Sequence, residues 1–384
     1  MSRKICVVIT ARPSYARIRS AMRAIQADNT LHLQVVVTAS ALVARYGDAA
    51  QVIESEGFAI DRKLPTLVDE NSLAAAVKTT ANGMSALADA LTQLQPDAVV
   101  TIADRYETMA TAVAAAYLHI PLVHVQGGEI TGSIDEKVRH AITKLADLHC
   151  VASERARERV LRMGEQPQSV HVTGCPSIDV AREALDNRKL PADFVSRYGA
   201  GGGPVDLAKP YIVVLQHPVT TEHGQARRHV EETLQAVKAL DMQALWFWPN
   251  VDAGGDDTSI GIRDFIAAHG LAKAHFFDNV PPEDFIRLLH GSRGIVGNSS
   301  VAIREGAWLG VPAVNIGSRQ LGRDRGANVV DVDYQRGAIL AALKRQTALG
   351  HLPADTIYGD GHAGERIARL LAQAPLGFEK RLSY

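Results

Sequence analysis

The run Val123 to Lys144, VHVQGGEITGSIDEKVRHAITK, gathers two histidines, three carboxylates, two lysines and an arginine where a strand gives way to a helix. The apolar stretch Ile120 to Val125 reads as a buried strand, and Gly127 and Gly128 allow the backbone to turn sharply after it. Ser133 with Glu136 forms a capping box, so a helix is expected from about Ile134. Its apolar positions Val138, Ala141, Ile142 and Leu145 recur at helical spacing. That leaves Asp135, Arg139 and His140 near the open end of the sheet. Titratable groups at this place, with Glu129 just ahead of them, suit proton transfer. The alternative is a solvated first turn in which Asp135 and Arg139 merely pair along the helix.

Other strand ends are similarly furnished. The first turn, Thr10 to Tyr15 with Arg17 beyond it, lacks the glycine spacing of dinucleotide binding. Arg12 and Arg17 either reach an anion over a helix N-terminus or are surface arginines. Asp104 follows the strand ending at Ile102, and is placed to act as a base, as an orienting group or as an N-cap. His217 ends a strand in Gln216-His217-Pro218, as a proton donor, a phosphate ligand or a structural histidine. Asn250 ends the next strand as a hydrogen-bonding group.

Gly297-Asn298-Ser299-Ser300, leading from strand to helix, can turn backbone amides and two hydroxyls toward a diphosphate without any lysine. Glu305 in the following helix suits a ribose diol, and Arg319 and Arg323 add charge beside the cradle. The pattern is that of a nucleotide diphosphate held by the second half of the chain, its attached group meeting carboxylates of the first.

The elements that must position these residues alternate between strand and helix from end to end, which predicts an α/β fold of parallel sheets covered on both faces. Strands are expected at Ile5 to Ile9, Leu33 to Val37, Ala98 to Ile102, Pro121 to Val125, Leu148 to Ala152 and Val170 to Val172. A Gly-rich linker between Tyr198 and Pro210 separates these from strands at Tyr211 to Leu215, Ala244 to Phe247, Ala274 to Phe277, Gly294 to Val296 and Pro312 to Ile316. The expected domains are 1–198, 199–363 and a final helical piece, 364–384, packing back on the first. Two such domains in tandem are expected to face a cleft between the carboxyl ends of their sheets.

A chain of 384 residues, 46% apolar and 22% charged, has room for two ordinary cores. Its net charge of −1 offers no electrostatic attraction to nucleic acid or an anionic membrane. Cys6, Cys150 and Cys175 have no metal-ligand spacing and read as reduced core residues. No apolar run approaches membrane length, and no signal peptide precedes the first strand, so the expected location is cytoplasmic.

Taken in order, Asp104-Arg105, GGEITGSIDEKVRHAITK, GCPS at Gly174 to Ser177, HPVTTE, PNVDAG, GNSS and NIGSRQLGR give the chain a resemblance to the hydrolysing UDP-N-acetylglucosamine 2-epimerases of sialic acid synthesis. The likeness extends to the epimerase domain of the bifunctional animal enzyme and to bacterial enzymes for legionaminic acid. It implies the glycosyltransferase-B architecture, two Rossmann-like domains facing a cleft, and a chemistry needing neither metal nor cofactor. UDP would leave by anti elimination to 2-acetamidoglucal, and water would add to give free N-acetylmannosamine. The resemblance assigns Asp104 and Asp135 as catalytic carboxylates and His217 as the active-site histidine. It places Ser299, Ser300, Glu305, Arg319 and Arg12 at the nucleotide, and it implies a homodimer or homotetramer.

Two departures stand out. Gln126 occupies a catalytic place where the family usually has Glu, and a Gln cannot exchange a proton as a carboxylate does. Either Glu129 takes over, Asp104 serves as sole base, or the chemistry or substrate has shifted. Arg17 replaces a customary lysine, and Val301-Ala302 replace small residues. Related readings are a UDP- or GDP-linked diacetamido sugar, a non-hydrolysing 2-epimerase, a glycosyltransferase, or a nucleotide-sugar binder without activity.

Overall fold

The computed structural model of the chain describes residues 2–70, 72–102, 105–131, 134–219, 222, 224–249, 255–278 and 280–383. Asp104, Asn250 and the Ser133 of the expected capping box lie outside the described residues. The chain divides into two compact units, one made of Met1–Glu129, Ile134–Asp179 and Gly359–Tyr384, the other of Ile130–Ser133 and Val180–Tyr358.

The first unit is built on seven strands: β1 (Arg3–Ile9), β2 (Leu31–Thr38), β3 (Arg62–Leu64), β4 (Ala98–Ile102), β5 (Leu122–Val125), β6 (Leu148–Val151) and β7 (Val170–Val172). They pair in the order β3-β2-β1-β4-β5-β6-β7, every pair parallel. Ile5 to Ile9 and Ala98 to Ile102 are buried throughout, as strands covered on both faces must be. One face packs Met22 and Ile25 with Ile367 and Leu371 of the last helix, Ala363–Gln373, and the other packs Leu87 and Leu91 with Ile142. That last helix lies so close to helix Arg19–Ala27 that a Cβ on Gly364 would fall 2.6 Å from the Ser20 carbonyl carbon. The carboxylate of Asp179 caps it, accepting from the amides of Ala363 and Gly364 at 2.9 and 2.7 Å.

The second unit holds β8 (Gly199–Gly202), β9 (Tyr211–Leu215), β10 (Gln243–Phe247), β11 (Ala274–Phe277), β12 (Ile295–Gly297), β13 (Ala313–Ile316) and β14 (Val329–Val332), in the order β14-β13-β12-β9-β10-β11-β8. All are parallel except β8, which runs antiparallel to β11. Each sheet therefore carries the doubly wound 3-2-1-4-5-6 order of a Rossmann-like domain, with one further strand at an edge.

The Gly-rich stretch read as a bare linker is instead partly strand, and the chain changes units earlier, inside helix Pro176–Asp186. Glycine suits β8 because a Cβ at Gly202 would lie 2.5 Å from the carbonyl oxygen of Ala274. No helix among the described residues is long and apolar enough to cross a membrane.

Candidate functional site

In the first unit the parallel strands bring their carboxyl ends to one edge, and the topology reverses between β1 and β4. After β1, Arg12 opens the short helix Arg12–Ala16, with Pro13 at a position where its missing N–H costs nothing. Arg12 is half-buried, and that burial weakens the hold of its guanidinium on its proton. Its side chain lies across Gly47, where a Cβ would fall 2.5 Å from Nη1 and φ is +89°. Arg17 closes the same helix, its amide donating to the carbonyl of Ser14 at 3.2 Å. After β4, Arg105 clasps the buried Glu107 through Nε and Nη2, both at 3.3 Å.

The turn after β5 is tightly built. Gln126 has φ +68°, a conformation in which a non-glycine residue is uncommon and which marks local strain. Its side chain is buried, with Nε2 donating to Cys175 Sγ at 2.8 Å, and Cys175 Sγ lies 2.9 Å from Ser177 Oγ. Gln126 Oε1 is buried with no hydrogen-bond partner among the described residues. Gly128 is required, since φ is +75° and a Cβ would lie 2.3 Å from the carbonyl oxygen of Ala156.

Glu129 is buried, and its carbonyl accepts from Arg139 Nη1 at 2.7 Å. Helix Ile134–Leu145 forms with Asp135 and Glu136 in its first turn, where their charge complements the helix dipole. Asp135 is half-exposed. Arg139, expected at the open end of the sheet, is 1% exposed and serves the turn from within. His140 pairs with Glu136 at 3.3 Å.

In the second unit the reversal falls between β9 and β12, and the residues there are His217 and Asn298. Asn298 is fully buried and clamps the backbone of His217, its Oδ1 accepting from the His217 amide at 2.7 Å and its Nδ2 donating to the His217 carbonyl at 2.8 Å. The carbonyl of Asn298 in turn accepts from Arg319 Nη1 at 3.2 Å and Gln320 Nε2 at 2.9 Å. One asparagine thus ties together the ends of β9, β12 and β13. Gly297, with φ +138°, lets the β12 backbone approach so closely that a Cβ would sit 2.0 Å from the carbonyl oxygen of Leu215.

Ser299 and Ser300 do not lead directly into the helix. A 3₁₀ turn, Ser300–Ala302, follows, then the five-residue helix Glu305–Leu309. Little macrodipole accumulates over so few residues, so what this turn can offer an anion is its first amides, the serine hydroxyls and the charge of Arg319. Glu305 is buried, and its Oε2 has no hydrogen-bond partner among the described residues, which suits it to accept from a ligand hydroxyl.

The structure thus brings His217, Ser299, Ser300, Glu305 and Arg319 into the second unit, and Arg12, Arg17, Gln126, Glu129 and Asp135 into the first. The expected roles of Asp104 and Asn250 fall on residues outside those described. The bonds from Asn298 to His217 and from Gln126 to Cys175 carry no sequence signal, because the partners lie 81 and 49 residues apart. All three cysteines are free and buried, and burial pushes the Cys150 thiol up to about 12.

Residues 23–372 match the family model described as UDP-N-acetylglucosamine 2-epimerase. The chain is 32% identical over 98% of its length, and 97% of the relative's, to the UDP-N,N'-diacetylbacillosamine 2-epimerase (hydrolyzing) of Legionella pneumophila. It is 31% identical over 86% of its length, and 84% of the relative's, to the GDP/UDP-N,N'-diacetylbacillosamine 2-epimerase (hydrolyzing) of Campylobacter jejuni. Among solved structures, the UDP-GlcNAc 2-epimerase of Neisseria meningitidis bound to UDP-GlcNAc matches with a TM-score of 0.80, at 20% identity, over 96% of this chain and 99% of that one. The fold is accordingly of the glycosyltransferase-B class, with its two Rossmann-like α/β domains. With the doubly wound order in both sheets and a family match across most of its length, the chain belongs to the UDP-N-acetylglucosamine 2-epimerase family.

Proposed function

We propose that this chain is a hydrolysing nucleotide-sugar 2-epimerase whose substrate is a UDP-linked diacetamido sugar of the N,N'-diacetylbacillosamine type. The observation that supports this reading is that the relatives of Legionella pneumophila and Campylobacter jejuni, at 32% and 31% identity, both carry a nucleotide-linked N,N'-diacetylbacillosamine and the word hydrolyzing in their names. It takes the place of the UDP-N-acetylglucosamine favoured by the motifs alone.

In this reading Ser299, Ser300 and Arg319 take the diphosphate, Glu305 the ribose hydroxyls, and Arg12 and Arg17 further negative charge. Asn250 supplies a hydrogen bond to the nucleotide. A carboxylate of the first unit, Asp104 with Glu129 and Asp135 in support, removes the proton on the sugar carbon bearing the 2-acetamido group. The electron pair left behind forms a double bond to the anomeric carbon as the bond to UDP breaks. Water then returns a hydroxyl to the anomeric carbon and a proton to the neighbouring carbon on the opposite face. One nucleotide sugar and one water thus give one free 2-epimeric sugar and one UDP. His217 protonates or binds the departing diphosphate. Gln126 is not a base here; its acceptor Oε1 is suited to an N–H or O–H of the sugar.

A second reading keeps UDP-N-acetylglucosamine as substrate and is favoured by the description of the family itself. Parallel assays with the UDP- and GDP-linked diacetamido sugars and with UDP-N-acetylglucosamine separate the two. The UDP-linked diacetamido sugar is expected to win by at least about tenfold in kcat/KM, the ~1.4 kcal/mol of one well-placed contact. A preference for UDP-N-acetylglucosamine overturns the first reading. Release of sugar still attached to UDP overturns both.

A further inference from the structure

Helix Ile134–Leu145 holds the turn after β5 at both ends. Toward the strand, Thr143 Oγ1 bonds the fully buried His124 Nδ1 at 3.2 Å. Gly127 sits on that pair, for a Cβ there would meet His124 Nδ1 at 2.9 Å and Thr143 Oγ1 at 3.0 Å. At the far side of the turn, Arg139 holds the carbonyl of Glu129. Any shift of this helix along its axis is therefore passed to Gln126 and Glu129, and carries Asp135 with it.

The helix is itself fixed from its C-terminal end by a residue far away in sequence. Lys380 Nζ donates to the carbonyls of Thr143 and Ala146, groups that a helix end leaves without partners, and its charge complements the dipole there. The same Nζ pairs with Glu165 Oε2 at 2.6 Å. Glu165 is 3% exposed and also takes Lys144 of the helix at 2.5 Å and the buried His149 at 3.1 Å. Segment 376–383 is seated by further contacts. Phe378 stacks on His119 with ring centroids 5.2 Å apart, the Ser383 amide donates to the Gly164 carbonyl at 2.9 Å, and Gln166 Nε2 reaches the Arg381 carbonyl at 3.4 Å.

We propose that Lys380 is a positioning residue for the reaction, setting the axial placement of helix Ile134–Leu145 and through it the turn that carries Gln126 and Glu129. It touches no reacting atom. The inference rests on the reading of Glu129 and Asp135 as groups that work on the sugar, but its structural half can be measured without any turnover.

The test uses the full chain with Lys380→Met, which keeps the apolar stem and removes charge and donors, Lys380→Arg, which restores them, and Glu165→Gln as an independent break in the network. Circular dichroism fixes a temperature at which each variant is folded. There, Lys380→Met is expected to lower kcat about ten- to a hundredfold, the scale of a small misplacement of reacting groups, with KM and the affinity for UDP within about twofold of wild type. Amides 124–131 and 134–146 should exchange with deuterium faster, Lys380→Arg should recover most of the activity, and Glu165→Gln should follow Lys380→Met in direction. Wild-type kcat and wild-type exchange in folded Lys380→Met would overturn the proposal. If Lys380→Met does not fold, Glu165→Gln takes its place, and wild-type kcat and exchange in that variant overturn the proposal equally. If the wild type turns over none of the nucleotide sugars, the proposed function fails, and the exchange rates alone decide whether Lys380 fixes the helix.

Discussion

Replacing Asn298 by Ala probes how the second unit assembles its site. The side chain is fully buried and its two bonds, at 2.7 and 2.8 Å, satisfy both the amide and the carbonyl of His217, itself only 6% exposed. Alanine removes both partners at once, and water has poor access to the groups left behind. An unsatisfied buried polar group costs about 1–3 kcal/mol, so the pair costs about 2–4 kcal/mol if the loop relaxes in part. For a unit of this size that is a fall of roughly 5–12 °C in its melting temperature. Because the Asn298 carbonyl also receives Arg319 and Gln320, relaxation of this loop displaces the charge proposed to meet the diphosphate. Thermal unfolding with and without UDP, together with calorimetric titration of UDP, reads both effects. The expected result is a lowered melting temperature and UDP affinity weakened by about ten- to thirtyfold, the equivalent of 1.4–2 kcal/mol. Unchanged melting and unchanged UDP affinity would refute the idea that Asn298 holds the ends of β9, β12 and β13 in place.

Two other perturbations have definite signs. Gln126→Glu places a carboxyl in a buried site beside the Cys175 thiol, so its folded pKa is expected above the unfolded value of about 4.3. Below that value both states are protonated and the variant matches wild type. As pH rises through and beyond it the unfolded chain ionises more readily, so urea midpoints of the variant should fall progressively behind wild type; a deficit that shrinks with rising pH contradicts this. Glu165 behaves in the opposite way. Burial alone would raise its pKa, but hydrogen bonds from His149, Lys144 and Lys380 outweigh burial and hold it at about 2. Its contribution is complete above the ordinary carboxylate range and is lost as pH falls toward 2, at most about 3 kcal/mol. Urea midpoints of wild type should therefore drop between pH 5 and about pH 3 more steeply than those of Glu165→Gln, and parallel curves would exclude Glu165 as the acid-sensitive group.

The alternation of strand and helix was legible because parallel strands covered on both faces are continuous apolar runs, as in Ile5 to Ile9 and Ala98 to Ile102. Three strands escaped for reasons that are equally physical. Arg62–Leu64 and Val329–Val332 lie at sheet edges and keep exposed positions, so they carry little apolar signal. Gly199–Gly202 forms a strand from residues whose intrinsic preference opposes it, held by pairing with β11 and by the close approach of its backbone. At the strand ends, carboxylates, serines and arginines stood out as candidates by type and place, although the same types also cap helices and pair along them. What joins them did not. The clamp of Asn298 on His217, the bond from Gln126 to Cys175 and the reach of Lys380 to Thr143 unite residues that neither periodicity nor spacing connects. Arg139, read at the open end of the sheet with a solvated pairing to Asp135 as the alternative, is buried instead, because i,i+4 spacing marks a pair without saying whether it is exposed.

The most direct test of the proposed chemistry is turnover of the UDP-linked diacetamido sugar in deuterated water, with the products resolved by NMR. Removal of a carbon-bound proton, loss of UDP and addition of water require one solvent deuterium at the epimerised carbon of the free sugar, and UDP released in equal amount. A free sugar carrying no deuterium at that carbon would contradict elimination and re-addition.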